Sequence, residues 1–292
     1  MMRPLPLFLL PAILFAADFQ IDHVTIAGRD LKPMQAALAA AGIPTVYGGA
    51  HANQVTEMAL VSFRDGSYLE AIAVRKGTPA EDVKHHEWAA FLDQPGMPCA
   101  WALRAPDLAA ASARLRTAGV LVGPVVRAGR ARPDGAHLEW ETVNLGDETR
   151  GTFFPFLIHD LTARGLRAFP QGHPTNRQFA GVAYVVIAVR SLADAVARYR
   201  AAFGLAAPMR QVDRDFGAEL AGFDAPLILA QPLGSDSWLA RRIAEFGEGP
   251  CAFLISGKTA AGGASRCHWF GRDITWLDPT KLGWHLGVVA VL

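Results

Sequence analysis

The chain has 292 residues, 51% of them hydrophobic and 19% charged, with a formal net charge of +1. That is enough apolar material for one or two compact domains, and the near-zero balance without a long Lys or Arg run argues against a nucleic-acid role. Three cysteines, Cys99, Cys251 and Cys267, are too few for a disulfide scaffold and lack zinc-site spacing. Cys251 and Cys267 either bridge neighbouring strands in an oxidising compartment or, like Cys99, are buried small hydrophobes.

In chain order, Arg3, the apolar run Leu5 to Phe15 and the small pair Ala16-Ala17 read as a targeting segment over residues 1–17. They predict export to the periplasm or the medium. Prolines interrupt the run, and no later segment reaches the roughly 18 apolar residues of a membrane helix, so no stable span is expected once the segment is removed. A buried N-terminal strand or helix is the alternative.

From Asp18 to Val74 the sequence reads as strand, helix and three strands. Ile21, His23 and Thr25 alternate with Asp22, Val24 and Ile26, the period of a strand with two differently occupied faces. Asp30 stands at a helix N-cap position before Leu31, Met34 and Leu38, and Gly42 closes the segment. Glu57 to Phe63, the turn Arg64-Asp65-Gly66, and Tyr68 to Val74 form a hairpin by turn chemistry. His23 and Glu70 are the metal-competent side chains near the middles of the first and last strands.

The pattern returns at Pro98 with a strand, an Asp107 cap, a helix ending at Gly119, and the strand-like segments LVGPVV, AHLEWETVN and TFFPFLIHD. Here Ala100 stands at the His23 position. After a linker over residues 161–178 the pattern returns again, with Tyr184 at the His23 position and Leu229, Ala230 and Gln231 where Glu70 is expected. PCAFLISGK opens a fourth unit, whose helix is lost or reduced to the Gly-rich TAAGGAS. Four copies of one unit imply two pairs, residues 18–160 and a degenerate pair over 179–292. The fold class is α+β: tandem βαβββ modules paired into curved half-barrel sheets, helices on the outside, each pair enclosing a concavity that can hold a ligand.

With His in a first strand and Glu in a last one, this repeat resembles the vicinal oxygen chelate superfamily of glyoxalases, bleomycin-resistance proteins and extradiol dioxygenases. GGAHANQVTEMALVSFRDGSYLEAIAV, WALRAPDL, RARPDGAHLEW and FFPFLIHD resemble, in that order, its glyoxalase-like domain, over roughly Ile21 to Asp160. The resemblance implies paired modules and, in metal-dependent members, a divalent ion held by His and Glu side chains from both modules.

His23 and Glu70 match two such ligand positions, and imidazole and carboxylate donors suit Zn, Mn, Ni or Fe. The second module departs from that pattern at Ala100 and around Leu157, so His51 in the GGAH loop and His159 at the end of FFPFLIHD are the candidates for a third ligand. The alternative is that His23 and Glu70 bond each other or a substrate in a metal-free pocket. Glu70 is also a candidate general base, its pKa raised toward neutrality by burial, or else a carboxylate paired with Arg104 or Arg132. His51, Arg104, Arg132 and His159 are candidate substrate contacts, Arg132 from a turn with Arg130, Asp134 and Gly135 where an arginine can grip a carboxylate bidentately. His85-His86 reads as surface, the tryptophans as core, and His268 with His285 as a weaker second ligand pair.

The reading is an exported glyoxalase-like protein, a metal-assisted lyase or isomerase acting on a small carbonyl- or oxygen-rich molecule. A non-catalytic sequestering protein and an extradiol-type dioxygenase are the alternatives, and a homodimer is an open option.

Overall fold

The computed structural model describes residues 19–257 and 263–290; the targeting segment expected at residues 1–17 and most of TAAGGAS lie outside them. The chain proceeds through β1 (Ile21–Gly28), α1 (Leu31–Ala40), β2 (Val46–Ala50), β3 (Thr56–Ser62) and β4 (Tyr68–Val74). Two short helices, α2 (Ala80–Lys84) and α3 (Ala89–Leu92), lead to β5 (Met97–Arg104), α4 (Leu108–Thr117), β6 (Val126–Ala131), β7 (His137–Val143) and β8 (Phe156–Asp160). After α5 (Arg164–Ala168) come β9 (Phe179–Ala188), α6 (Leu192–Phe203), β10 (Met209–Asp213), β11 (Ala218–Gly222), β12 (Leu227–Pro232) and α7 (Trp238–Phe246). The chain then forms β13 (Gly249–Gly257), β14 (Ser265–Trp269), β15 (Arg272–Trp276), α8 (Pro279–Leu282) and β16 (His285–Ala290).

These strands make two 8-stranded sheets of identical topology, β2-β3-β4-β1-β5-β8-β7-β6 and β10-β11-β12-β9-β13-β16-β15-β14. Within each unit the first strand lies parallel beside the last, and the first strands of paired units run antiparallel at the sheet centre. In the first three units the helix between first and second strands is part of the crossover that a parallel neighbour requires. The result is the tandem arrangement of curved, paired half-barrel modules expected from the repeat.

Local chemistry accounts for the elements. The Asp30 carboxylate accepts from Lys32 N and starts α1, which buries Leu31, Met34 and Leu38; Asp107 accepts from Ala110 N and does the same for α4. Gly66 closes the β3–β4 hairpin at φ +79°, a backbone region that favours glycine. On the convex faces, Val24, Ile26, Trp101 and Leu103 of the first sheet join Val185, Ile187, Phe253 and Ile255 of the second in one core with the helices.

Some expectations need correction. LVGPVV is not itself a strand: it contributes a bridge from Val122 to Leu145 and, in Val126, the first residue of β6, because Pro124 removes a ladder donor. The ladder also places Ile228 opposite Val186 as Glu70 stands opposite Thr25, so Ile228 holds the Glu70 position in the second sheet. Cys99, Cys251 and Cys267 are all free; Cys251 lies against Val186 O and Cys267 accepts from Trp276 Nε1. No described helix is long and apolar enough to cross a membrane.

Candidate functional site

The concave face of the first sheet encloses a cavity of about 300 Å³. Strand alternation determines what faces it. In β1 and β4, Val24 and Leu69 point to the convex core, so His23, Tyr68 and Glu70 point to the hollow. His51, immediately after β2, reaches the same space, and Trp88 from the α2–α3 segment closes one side.

His23 and Glu70 are only 4% and 7% exposed. Glu70 Oε1 lies 3.5 Å from His51 Nε2 and its Oε2 lies 3.9 Å from His23 Nε2, while Thr25 Oγ1 donates to Oε2 at 3.4 Å. Burial alone pushes the Glu70 carboxyl up, but the His51 hydrogen bond and the charges of His23, His51 and Arg130 outweigh it and bring it down to about 2. The expectation of a carboxyl raised toward neutrality is thereby corrected, as is its pairing with Arg104 or Arg132.

Behind the imidazoles stands a buried support. Asp22 Oδ1 lies 2.6 Å from His23 Nδ1; an ionised carboxylate only accepts, so the proton sits on Nδ1 and Nε2 faces Glu70. Arg167 grips Asp22 through Nη1 and Nη2, both at 2.9 Å, and reaches Asp160 through Nε at 2.5 Å and Nη2 at 2.8 Å. Arg164 also donates to Asp22. Tyr68 accepts from Arg167 Nη1 at 2.6 Å and stacks on the His23 ring at 4.7 Å. On the other side Thr56 Oγ1 holds His51 Nδ1 at 2.8 Å.

The remaining sequence candidates lie off the cavity. In β8, Phe156 and Ile158 face the hollow, so His159 faces away, its Nδ1 3.1 Å from Ala105 O. Arg104 is drawn into the Asp22 cluster and donates to Asp65 O at 3.0 Å. Arg132 caps the carbonyls of Leu166 at 3.1 Å and Pro170 at 2.5 Å. His268 is exposed against Asp273, and His285 stacks on Trp238; the two form no ligand pair. Conversely, His86 lines the cavity rather than the surface, and Arg130 is a buried β6 residue that donates to Gly48 O at 2.6 Å.

Sequence reading missed Arg150, Arg167 and Trp140, all cavity-lining. Alternation with Leu138 and Thr142 marks Trp140; the two arginines lie in irregular or short segments without a period to read. Among the described residues no group of three His, Cys, Asp or Glu side chains is placed to hold a metal. His23, His51 and Glu70 supply donors of the right kind, two imidazoles and a carboxylate with both Nδ1 atoms engaged elsewhere, but they are not drawn together for coordination.

Comparison with known proteins follows the geometry. The sequence profile of the glyoxalase-like domain matches residues 21–203, and no curated protein matches. Among solved structures, a hypothetical protein from Staphylococcus aureus shares the fold at 12% identity over 93% of this chain and 99% of that one, with a TM-score of 0.64. A methylmalonyl-CoA epimerase from Mycobacterium tuberculosis is similar at 18% identity over 39% of this chain and 90% of that one, TM-score 0.35. A Streptomyces coelicolor methylmalonyl-CoA epimerase in complex with 2-nitronate-propionyl-CoA is similar at 21% identity over 37% and 95%, TM-score 0.32.

Proposed function

Because the chain belongs to the glyoxalase-like domain family, in the vicinal oxygen chelate superfamily, we propose that the first hollow is a lyase or isomerase site. There Glu70 takes a proton from a carbon beside the carbonyl of a small substrate. The observation that carries this reading is one buried carboxylate flanked by two imidazole Nε2 atoms, all facing one cavity of small-molecule size.

A carboxyl held at about 2 is ionised at neutral pH but weakly basic. That weakness belongs to the empty site, where the imidazoles face the carboxylate. A substrate carbonyl entering between them takes the His51 Nε2–H donor, whose Nδ1 accepts from Thr56 Oγ1, for its own oxygen. Burial then dominates at Glu70 and raises its basicity as the proton is needed. The same N–H group stabilises the negative charge that develops on the carbonyl oxygen. Asp22 and Arg167 hold the His23 ring with its unprotonated Nε2 toward Glu70 and the cavity. A divalent ion, if bound, would draw on His23, His51 and Glu70 and would polarise the carbonyl; the steps above involve the protein's own groups alone.

The test is solvent deuterium exchange into methylglyoxal, hydroxyacetone and pyruvate, followed by NMR. Wild-type protein is expected to catalyse exchange in at least one of them, and Glu70→Gln to lose it by about 10²-fold or more. Exchange unchanged in Glu70→Gln overturns the assignment. Binding without exchange favours a sequestering protein.

A further inference from the structure

Three arginines, Arg130, Arg150 and Arg167, line the cavity, and they are not equally engaged. All the N–H groups of Arg167 face Asp22, Asp160 or Tyr68, and Arg130 donates to Gly48 O. Arg150 is different. Its side chain is 22% exposed, Glu87 is its one carboxylate within 4 Å among the described residues, with Nη1 3.7 Å from Oε1, and its Nε is buried with no hydrogen-bond partner among them. Its guanidinium carbon lies over the Phe156 ring, 4.0 Å from the centroid, and that ring meets His23 edge-on at 5.4 Å.

The backbone under Arg150 is fixed. Trp88 Nε1 donates to Arg150 O at 3.0 Å, and Trp101 N donates to Gly151 O at 3.0 Å. Gly151 has φ +69°, and a Cβ there would stand 3.0 Å from both Ala100 Cβ and Trp101 O. A planar, partly desolvated guanidinium is thus held in place, one aromatic ring away from the proposed proton-transfer groups, with its hydrogen bonds unmade. Such a group suits a bidentate oxyanion.

From this geometry, and resting on the reading of Glu70 above, we infer that Arg150 is the substrate-selecting residue. It grips a carboxylate or phosphate group of a small carbonyl compound whose reactive carbon lies at Glu70. The cavity of about 300 Å³ is of the size that takes a small molecule.

Calorimetric titration of the full chain with pyruvate and with its neutral methyl ester tests this. Wild-type protein is expected to bind pyruvate at least about tenfold more tightly than the ester, in line with a charged hydrogen-bonded pair. Arg150→Gln should erase the preference and Arg150→Lys, which keeps charge but not the planar fork, should keep part of it. Competition by acetate and by inorganic phosphate shows which oxyanion is preferred. Glu70→Gln should lose deuterium exchange yet keep the preference, so that failure of the proton-transfer reading and failure of this one are seen separately. A wild type that binds neither probe, or both equally, overturns the inference, as does a preference that survives in Arg150→Gln.

Discussion

Replacing Asp22 tests the support beneath the site. Asp22 is fully buried and accepts from His23, twice from Arg167, and from Arg164. Breaking a buried charged pair typically costs about 3–5 kcal/mol, because the remaining partner is left unneutralised. Here Asp160 still holds Arg167 through two contacts and Arg164 through one at 3.2 Å, so Asp22→Asn should cost about 3 kcal/mol, the lower end. Urea unfolding followed by circular dichroism measures this, and a cycle with Arg167→Leu should show coupling of at least about 1 kcal/mol. The pH dependence has a definite sign. Burial would raise the Asp22 carboxyl, but the Arg167 charge and the His23 and Arg167 hydrogen bonds hold it well below the ordinary range. Its contribution is complete above the ordinary carboxylate pKa and is lost as pH falls below about 4. Asp22→Asn should therefore flatten the acid limb of the stability curve. A loss under about 1 kcal/mol, or strict additivity with Arg167→Leu, refutes the reasoning.

Further expectations follow from other positions. His285, held down to about 4 by burial and stacked on Trp238 at 4.4 Å, stays neutral in the folded state while the unfolded chain takes up its proton. Stability should fall between pH 6.5 and 4, and His285→Phe should shrink the difference between urea midpoints at pH 7.5 and pH 5. Gly151→Ala combines a positive φ with close contacts at Ala100 and Trp101, and thermal unfolding should show a loss of about 2 kcal/mol; an unshifted midpoint counts against it. Tyr199→Phe removes the buried hydroxyl that donates to Phe153 O and should cost about 1–2 kcal/mol in urea unfolding.

What the sequence made legible was whatever repeats or alternates. The period-two face of β1, the Asp30 and Asp107 caps and the Arg64-Asp65-Gly66 turn each follow from local stereochemistry, and together they define the module and the pairing of sheets. They also predict that His23 and Glu70 share a face, since one alternation places Val24 and Leu69 on the other. The electrostatics did not follow in the same way. The low pKa of Glu70 depends on His51 and Arg130, which arrive from β2 and β6, and Arg150 comes from a loop held by Trp88 and Trp101. His159 and Arg132 looked equally suitable in sequence, yet one extra residue of alternation turned His159 outward and the carbonyls of Leu166 and Pro170 claimed Arg132.

The two sheets offer an internal comparison. Their topology is the same, but the second hollow is filled: Phe216, Trp269 and Trp276 pack with ring centroids 5.0 to 5.5 Å apart, Trp238 from α7 leans on Phe216, and Ile228 stands at the Glu70 position. At the ladder position of Ala102 opposite His23, the second sheet has Leu254 opposite Tyr184. The concave face therefore closes well around apolar side chains and needs no buried carboxylate at the Glu70 position. Taking a carboxylate or guanidinium out of water costs several kcal/mol per group unless it is well paired. In the first hollow Asp22, Asp160 and Arg167 offset that cost among themselves, whereas Glu70 rests on long contacts and Arg150 makes no side-chain hydrogen bond among the described residues. Groups held at such a cost beside an open cavity, on a face that the second sheet fills with apolar side chains, are explained by a ligand that completes their pairing.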